Sequence, residues 1–387
     1  MRPWIPWLIA LVPIVPPLYM ASLAALDLWR TLGPWARGIA AFYLVTQVAA
    51  AFLTPNPIVS IPLALLRGFF IIALLLTGVW LREPRRLHYL LVGLVIVYIT
   101  AFASSYHVYG ELWWQHRLIH PYYTTVSLGL AGAVGALLTL DWRAPWWGKL
   151  PVGSLAVAVL IFSGSRGAMA VLIVGAVMAY LARGRRYLGG VIVGSAITSL
   201  AYVTVSLGQH VPSIERYSSL KLSGRDRVWQ GALDAIHAYP LGGVGPYQLG
   251  PWLDYLYRGG CNLWAGAAHL GLSCPSWLEP FHGAWLIAHN LLLHALGETG
   301  VIGTTGYLAL LALLGYAAVR SREPLLVAIF FGYLVMSLVD NPMAVPSLHF
   351  AEVFWVAGGM ALARSGLAVP LEQGLAVDQD QPGPDPL

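Results

Sequence analysis

Three short strings in this sequence carry side chains suited to holding an anion or moving a proton. The first is Phe162-Ser163-Gly164-Ser165-Arg166-Gly167. Its guanidinium, Arg166, can grip a phosphate through two parallel hydrogen bonds, or simply anchor a helix end at a membrane edge. Ser165 does not stand in the G-x-S-x-G context of a nucleophile elbow, so small residues at a tight turn account for the serines. The second string, Ser223-Gly224-Arg225-Asp226-Arg227-Val228-Trp229, leads into an apolar face of Val228, Trp229, Ala232, Leu233 and Ile236 at helical spacing. Ser223 is placed to cap that helix, and Arg225 and Arg227 fall in its first turn. A first turn built for stability alone favours acids, so two arginines there suggest an anion site at the positive end of the helix dipole. The third string opens with Ala288-His289-Asn290 and runs on to Gly297-Glu298-Thr299-Gly300. A neutral His289 at its head can act as a base towards a hydroxyl.

Other chemistry is poorly supplied. No H-E-x-x-H, paired CxxC or D-x-D pattern is present, so no metal is expected. His116 and His120 have a four-residue spacing without an acidic third ligand beside them. The Gly-rich turn Pro240 to Pro246 offers either a backbone nest for an anion or a plain helix stop. The facing carboxylates of a glycosidase are not evident.

The elements that must position these strings are membrane helices. Of 387 residues 58% are apolar and only 10% are Asp, Glu, Lys or Arg, too few charges to coat a water-soluble fold. That excludes a cytosolic enzyme, a nucleic-acid binder and a disordered chain, and the net charge of +5 belongs to loops that orient spans. At about 20 apolar residues per crossing, the sequence predicts an all-α polytopic protein with about eleven spans. They cover 4–27, 36–53, 58–81, 88–108, 121–140, 150–164, 167–182, 188–207, 300–319, 324–341 and 347–364. The organisation is then eight spans over 1–207, a long outer loop with interfacial helices over 208–299, three spans over 300–364, and a disordered tail over 365–387.

Arg82, Arg85, Arg86, Arg183, Arg185, Arg186, Arg320, Arg322 and Arg364 all fall on one side, predicted to be cytoplasmic. The three strings and ten of the eleven histidines fall at the other, His88 being the exception. The amino terminus is predicted outside, unless the segment bearing Pro13, Pro16 and Pro17 forms a hairpin. From Ala288 to Arg320 is about 50 Å as one helix, longer than a bilayer, so a break near Gly297–Gly303 is expected.

In order and context the strings resemble the O-antigen ligase/polymerase family of bacterial membrane glycosyltransferases. The likeness lies in S-R-G at a span edge, S-G-R-x-x-x-W with P-x-G-G-V-G downstream, and H-N-x-x-L with E-x-G-x-x-G, over roughly 160–310. It implies a fold of the GT-C type in the bacterial inner membrane. It also implies metal- and cofactor-free, inverting transfer of a glycan from undecaprenyl pyrophosphate to an acceptor hydroxyl, such as lipid A-core, at the periplasmic face. Matched residue by residue, Arg166 and Arg225 would hold the donor pyrophosphate, with Arg227 as an extra cation beside them, and His289 would be the general base. Twelve spans are common in the family, and a count of eleven departs from that.

Ligase and polymerase share these motifs, and transfer to a protein hydroxyl is a further option. A lipid-linked glycan transporter or flippase is the reading from a different class, opposed by the lack of an internal repeat. Arg67 lies near the middle of the third span and must face a cavity, a partner or a lipid phosphate. It is expected to line a donor-lipid groove, with Asp340 or Glu352 as candidate partners. Cys261 and Cys274 share the outer loop, where an oxidising compartment permits a disulfide. Trp252, Tyr255, Tyr257, Trp264, Trp277 and Trp285 in that loop either stack on sugars or form an interfacial belt.

Overall fold

The computed structural model describes residues 5–206, 216–217, 225–253, 286–344 and 350–368, and among these the fold is helical. The bundle comprises α1 (Ile5–Leu11), α2 (Pro34–Phe52), α3 (Pro57–Leu81), α4 (Leu90–Tyr109), α5 (Thr125–Asp141), α6 (Trp146–Ser163), α7 (Arg166–Leu181) and α8 (Leu188–Ser206). After the long connection come α9 (Arg225–Ala238), α10 (Leu249–Leu253), α11 (Leu291–Ser321), α12 (Pro324–Met336) and α13 (Ala351–Arg364). Six helical segments, those containing α2, α3, α4, α6, α8 and α11, are long and apolar enough to cross a membrane. The protein is therefore a polytopic membrane protein. The main packed pairs are α7 with α12, α2 with α11, α5 with α6, and α3 with α13.

Small residues let these helices approach closely, which is how helices associate where lipid removes the hydrophobic drive. Gly132 of α5 lies against Ala156 and Leu160 of α6, where a Cβ would come within 2.8 Å of a backbone oxygen. Gly190 and Gly194 of α8 likewise meet Ala176 and Ile173 of α7. The glycines at helical spacing are packing devices, as their pattern suggests.

The first segment departs from expectation. It is not one span over 4–27: α1 stops at Leu11, and a 3₁₀ helix starts only at Pro16 and ends at Thr31. Pro13, Pro16 and Pro17 lack N–H donors, so a continuous helix cannot pass through them. The carbonyls freed at Pro13 and Ile14 accept the Tyr123 and Tyr122 hydroxyls. The chain then turns back. Ile5 shares a cavity with Leu28, Leu87 and Leu90, and Leu32 bridges Ala368 just past α13. Residue 5 therefore sits at the same end as Arg30 and Arg364, not at the opposite end. The single continuous span expected over 4–27 is therefore replaced by two helical pieces folded back on each other.

The break predicted in the late helix is present. Gly300 has φ +54 inside α11 and splits it into 291–299 and 301–321. That region is left-handed, which glycine enters without the Cβ clash other residues meet. The Gly-rich turn 240–246 wraps this kink. Val244 and Gly245 donate to the Gly297 and Glu298 carbonyls at 2.8 and 2.9 Å, and Val301 N–H reaches Pro240 O at 2.9 Å. The Gly243, Val244 and Gly245 amides are thus spent on carbonyls.

Candidate active site

The hinge between α6 and α7 is built around Gly164, with φ +61, and Ser165, whose hydroxyl caps α7 at Ala168 N–H. Arg166 is therefore the first residue of α7. The last carbonyls of α6 have no helical donors, and cations supply them, as the negative end of a helix dipole favours. Arg117 Nε donates to Ser163 O at 2.6 Å, and Arg216 Nε to Gly164 O at 3.2 Å. The Tyr217 hydroxyl donates to Leu160 O at 2.6 Å.

The second string forms α9, which begins at Arg225. Its buried face is Val228, Gly231, Ala232 and Ala235, packed with Leu249 and Leu253. Leu233, expected on that face, is exposed, and Trp229 is half-buried. The proposed cap, Ser223, lies outside the described residues. Seating α9 on the kinked helix α11 aims Arg225 inward, while Arg227, about 200° further round the helix, is exposed.

The third string positions His289. Asn290 caps α11 through Leu293 N–H at 3.0 Å and donates to Leu338 O at 3.0 Å. Leu291 N–H also reaches Ser337 O at 2.9 Å. These bonds tie the start of α11 to the end of α12, and His289, with φ +48, is turned over Asp340. His289 Nδ1 lies 3.3 Å from Asp340 Oδ1, and Arg225 lies 3.6 Å from Asp340 Oδ2. Asp340 is 2% exposed, against 32% for the His289 side chain.

A carboxylate only accepts, so this geometry places the His289 proton on Nδ1 and leaves Nε2 as the basic nitrogen. One buried carboxylate thereby links the histidine to the arginine cluster. Arg117, Arg166, Arg216, Arg225 and Asp340 line a common pocket. The space between them is about 20 Å³, room for a water, so a phosphate can be admitted only if the arginine side chains part. Burial, and then repulsion from Arg216 and Arg225, push the Arg117 guanidinium down to about 10. Such a cluster is stabilised by an incoming anion.

Two of these cations and the carboxylate were not singled out in the strings. Arg117 lies between His116 and His120 without a motif of its own, and Asp340 is expected only as a candidate partner of Arg67. The signal for Asp340 was its cost: a carboxylate next to apolar α12 needs a reason. The two histidines of the spaced pair are separately occupied. His116 stacks on Tyr109, ring centres 4.1 Å apart. His120 is buried, accepts the Tyr122 and Tyr123 N–H groups at Nδ1, and is pushed down by burial to about 4. Among the described residues no three His, Cys, Asp or Glu are grouped to hold a metal.

Arg67 takes partners other than the two candidates. It pairs with buried Glu298 beneath the kink, donates to Gln47 Oε1 at 3.2 Å and lies 5.4 Å from the Tyr247 ring. Neither Asp340 nor Glu352 is its partner in this structure. Glu298 also accepts Tyr247 N–H at 2.8 Å and faces His294 Nε2 at 3.5 Å. These contacts clamp the kink to α2 and α3 and do not open onto the arginine pocket. Cys261, Cys274, Tyr255, Tyr257, Trp264, Trp277 and Trp285 lie outside the described residues. Trp252 packs edge-on against Tyr239.

Residues 151–308 match the family model described as O-antigen ligase. The resemblance drawn from the three strings therefore holds over that stretch, which is less than half of the chain. It contains Arg166, Arg225, His289 and Glu298, and it leaves Arg67, Arg117 and Asp340 outside. None of the curated proteins matches the chain.

Proposed function

We propose that this protein is a membrane glycosyltransferase of the O-antigen ligase type, moving a glycan from undecaprenyl pyrophosphate to an acceptor hydroxyl at the periplasmic face of the inner membrane. The observation that carries this reading is Asp340, which sits 3.3 Å from His289 and 3.6 Å from Arg225 beside Arg117, Arg166 and Arg216. A histidine joined to a cluster of arginines at one end of the bundle supports a base acting beside an anion site.

In this reading the acceptor O–H gives its proton to His289 Nε2 as its oxygen bonds to the anomeric carbon. The bond from that carbon to the pyrophosphate oxygen breaks, and the electron pair leaves with the pyrophosphate. A single displacement inverts the anomeric centre. A positioned histidine contributes about 10²–10⁴-fold as base. Arginines aimed at the growing charge of the leaving group take the place of a metal ion. Arg166 and Arg225 are the donor-binding residues carried over from the motifs, Arg117 and Arg216 are added by the fold, and Arg227 is left peripheral. Arg67 acts through Glu298, by fixing the kink that aims His289.

The test is transfer in vitro from undecaprenyl-pyrophosphate glycan, with EDTA present, comparing wild type with His289→Ala. Loss of transfer in the variant and full activity of the wild type are expected. Undiminished transfer by the variant removes the base, and loss of wild-type activity in EDTA removes the metal-free course. A product that caps an acceptor marks a ligase; a lengthening ladder marks a polymerase using the same chemistry.

A further inference from the structure

The opposite end of the bundle carries a second charged pocket, of about 840 Å³, far from His289. It is assembled from four connections and one helix end: the 3₁₀ helix Pro84–Tyr89 after α3, the α5–α6 turn, Arg186 after α7, Glu323 before α12 and Arg364 at the end of α13. Five arginines face three carboxylates there. Each carboxylate is already engaged. Glu83 pairs with Arg85 and lies 4.0 Å from Arg86. Asp141 pairs with Arg186 and lies 3.3 Å from His88, and Glu323 pairs with Arg364. Arg143, exposed at the rim, has no carboxylate partner among the described residues. Topology alone needs arginines at this end; it does not need them gathered from distant loops around one pocket with positive charge in excess.

An apolar cavity of about 470 Å³ adjoins this pocket across the Pro84–Tyr89 helix. Leu87 and Leu90 line the cavity, whereas Arg86, His88 and Tyr89 line the pocket. Leu18, Ala25, Leu74 and Trp80 continue its wall, which includes two carboxyl groups, Asp27 and Glu352. Consecutive Cα atoms are about 3.8 Å apart, so the two spaces are separated by much less than the length of one lipid molecule. Exposed Tyr89, Trp146 and Trp147 mark this level as the membrane interface.

We propose that this end binds an anionic phospholipid, with its phosphate among Arg86 and Arg143 and one acyl chain in the adjoining cavity. The excess of positive charge selects against a zwitterionic headgroup, whose added cation would meet the arginines. The cavity selects a lipid over a soluble phosphate of the same charge. The site stands apart from the arginines beside His289, and it does not depend on the transfer reaction.

The experiment uses the purified full chain in detergent, with bound lipid counted by native mass spectrometry. Dioleoyl-phosphatidylglycerol and dioleoyl-phosphatidylcholine are offered at equal concentration. One phosphatidylglycerol is expected to be retained in preference. Arg143→Glu removes one favourable charge and adds an unfavourable one, so it should weaken retention about tenfold or more. Ala25→Trp, which fills the cavity, should weaken it as well, and glycerol 1-phosphate should not compete. Equal retention of the two lipids, an unchanged preference in Arg143→Glu, or displacement by glycerol 1-phosphate overturns the proposal. Arg143 is exposed, so an unchanged melting temperature of that variant without lipid separates lost binding from misfolding.

Discussion

Replacing Asp340 by Asn keeps its shape and removes its charge. In the native protein that charge lies 3.3 Å from His289 Nδ1 in a side chain that is 2% exposed. At an effective dielectric of about 20, a full ion pair at that distance is worth about 5 kcal/mol. The imidazolium is only partly formed when the acceptor proton is in flight, so about half of that, about 2.5 kcal/mol, is lost from the transition state. That corresponds to a fall of about 10²-fold in kcat. The same substitution releases Arg225, now 3.6 Å from the carboxylate, towards an incoming anion. The KM for the donor should therefore stay level or fall while kcat drops, a split that general unfolding does not produce.

The assay is transfer from undecaprenyl-pyrophosphate glycan in vesicles, with kcat and KM determined separately for wild type, Asp340→Asn, His289→Ala and the double variant. Because the two residues act as a unit, the double variant should be no slower than His289→Ala. A kcat for Asp340→Asn within threefold of wild type, or losses that multiply in the double variant, would refute the reasoning.

Three further outcomes follow from the geometry. Arg67→Ala leaves Glu298 charged and buried beneath the kink, which should cost about 3–5 kcal/mol in thermal unfolding with the donor KM unchanged; a normal melting temperature with a raised donor KM would instead put Arg67 in the donor groove. Gly300→Ala would place a Cβ 2.2 Å from Leu241 O at φ +54, so a loss of about 2 kcal/mol or more is expected, and a wild-type melting temperature would contradict the kink. His120 is held neutral down to about 4 by burial, whereas an unfolded histidine takes up a proton near 6.5. Its contribution is therefore fully present above pH 6.5 and is lost as pH falls from there towards 4, by about 3 kcal/mol in all. His120→Asn, which can still accept the two backbone N–H groups, should flatten that part of the stability profile.

The local features were legible in the sequence because their causes are local. Apolar runs and scarce charge give a membrane bundle, and Arg225 opens a helix because the period of 3.6 residues begins there. Asn290 caps its own helix three residues on, and Gly300 breaks a helix too long for a bilayer. The arginine- and histidine-bearing strings also stood out by themselves, because charge is so sparse around them. The prolines of the first segment showed that a helix must break, but not which way the chain leaves the break; that was set by where Tyr122 and Tyr123 offer hydroxyls, more than 100 residues away.

Only the tertiary structure decided which carboxylate meets which cation. Arg67 finds Glu298 across 231 residues of sequence, and His289 finds Asp340 across 51. In a medium that strongly penalises unpaired charge, a buried charged group needs a partner, but periodicity along one helix cannot say which neighbour packing will bring. Sequence therefore determined that charges so placed need a reason. The packing of α7, α9, α11 and α12, with the α4–α5 and α8–α9 connections laid over the end of α6, decided that four arginines, one aspartate and one histidine share it.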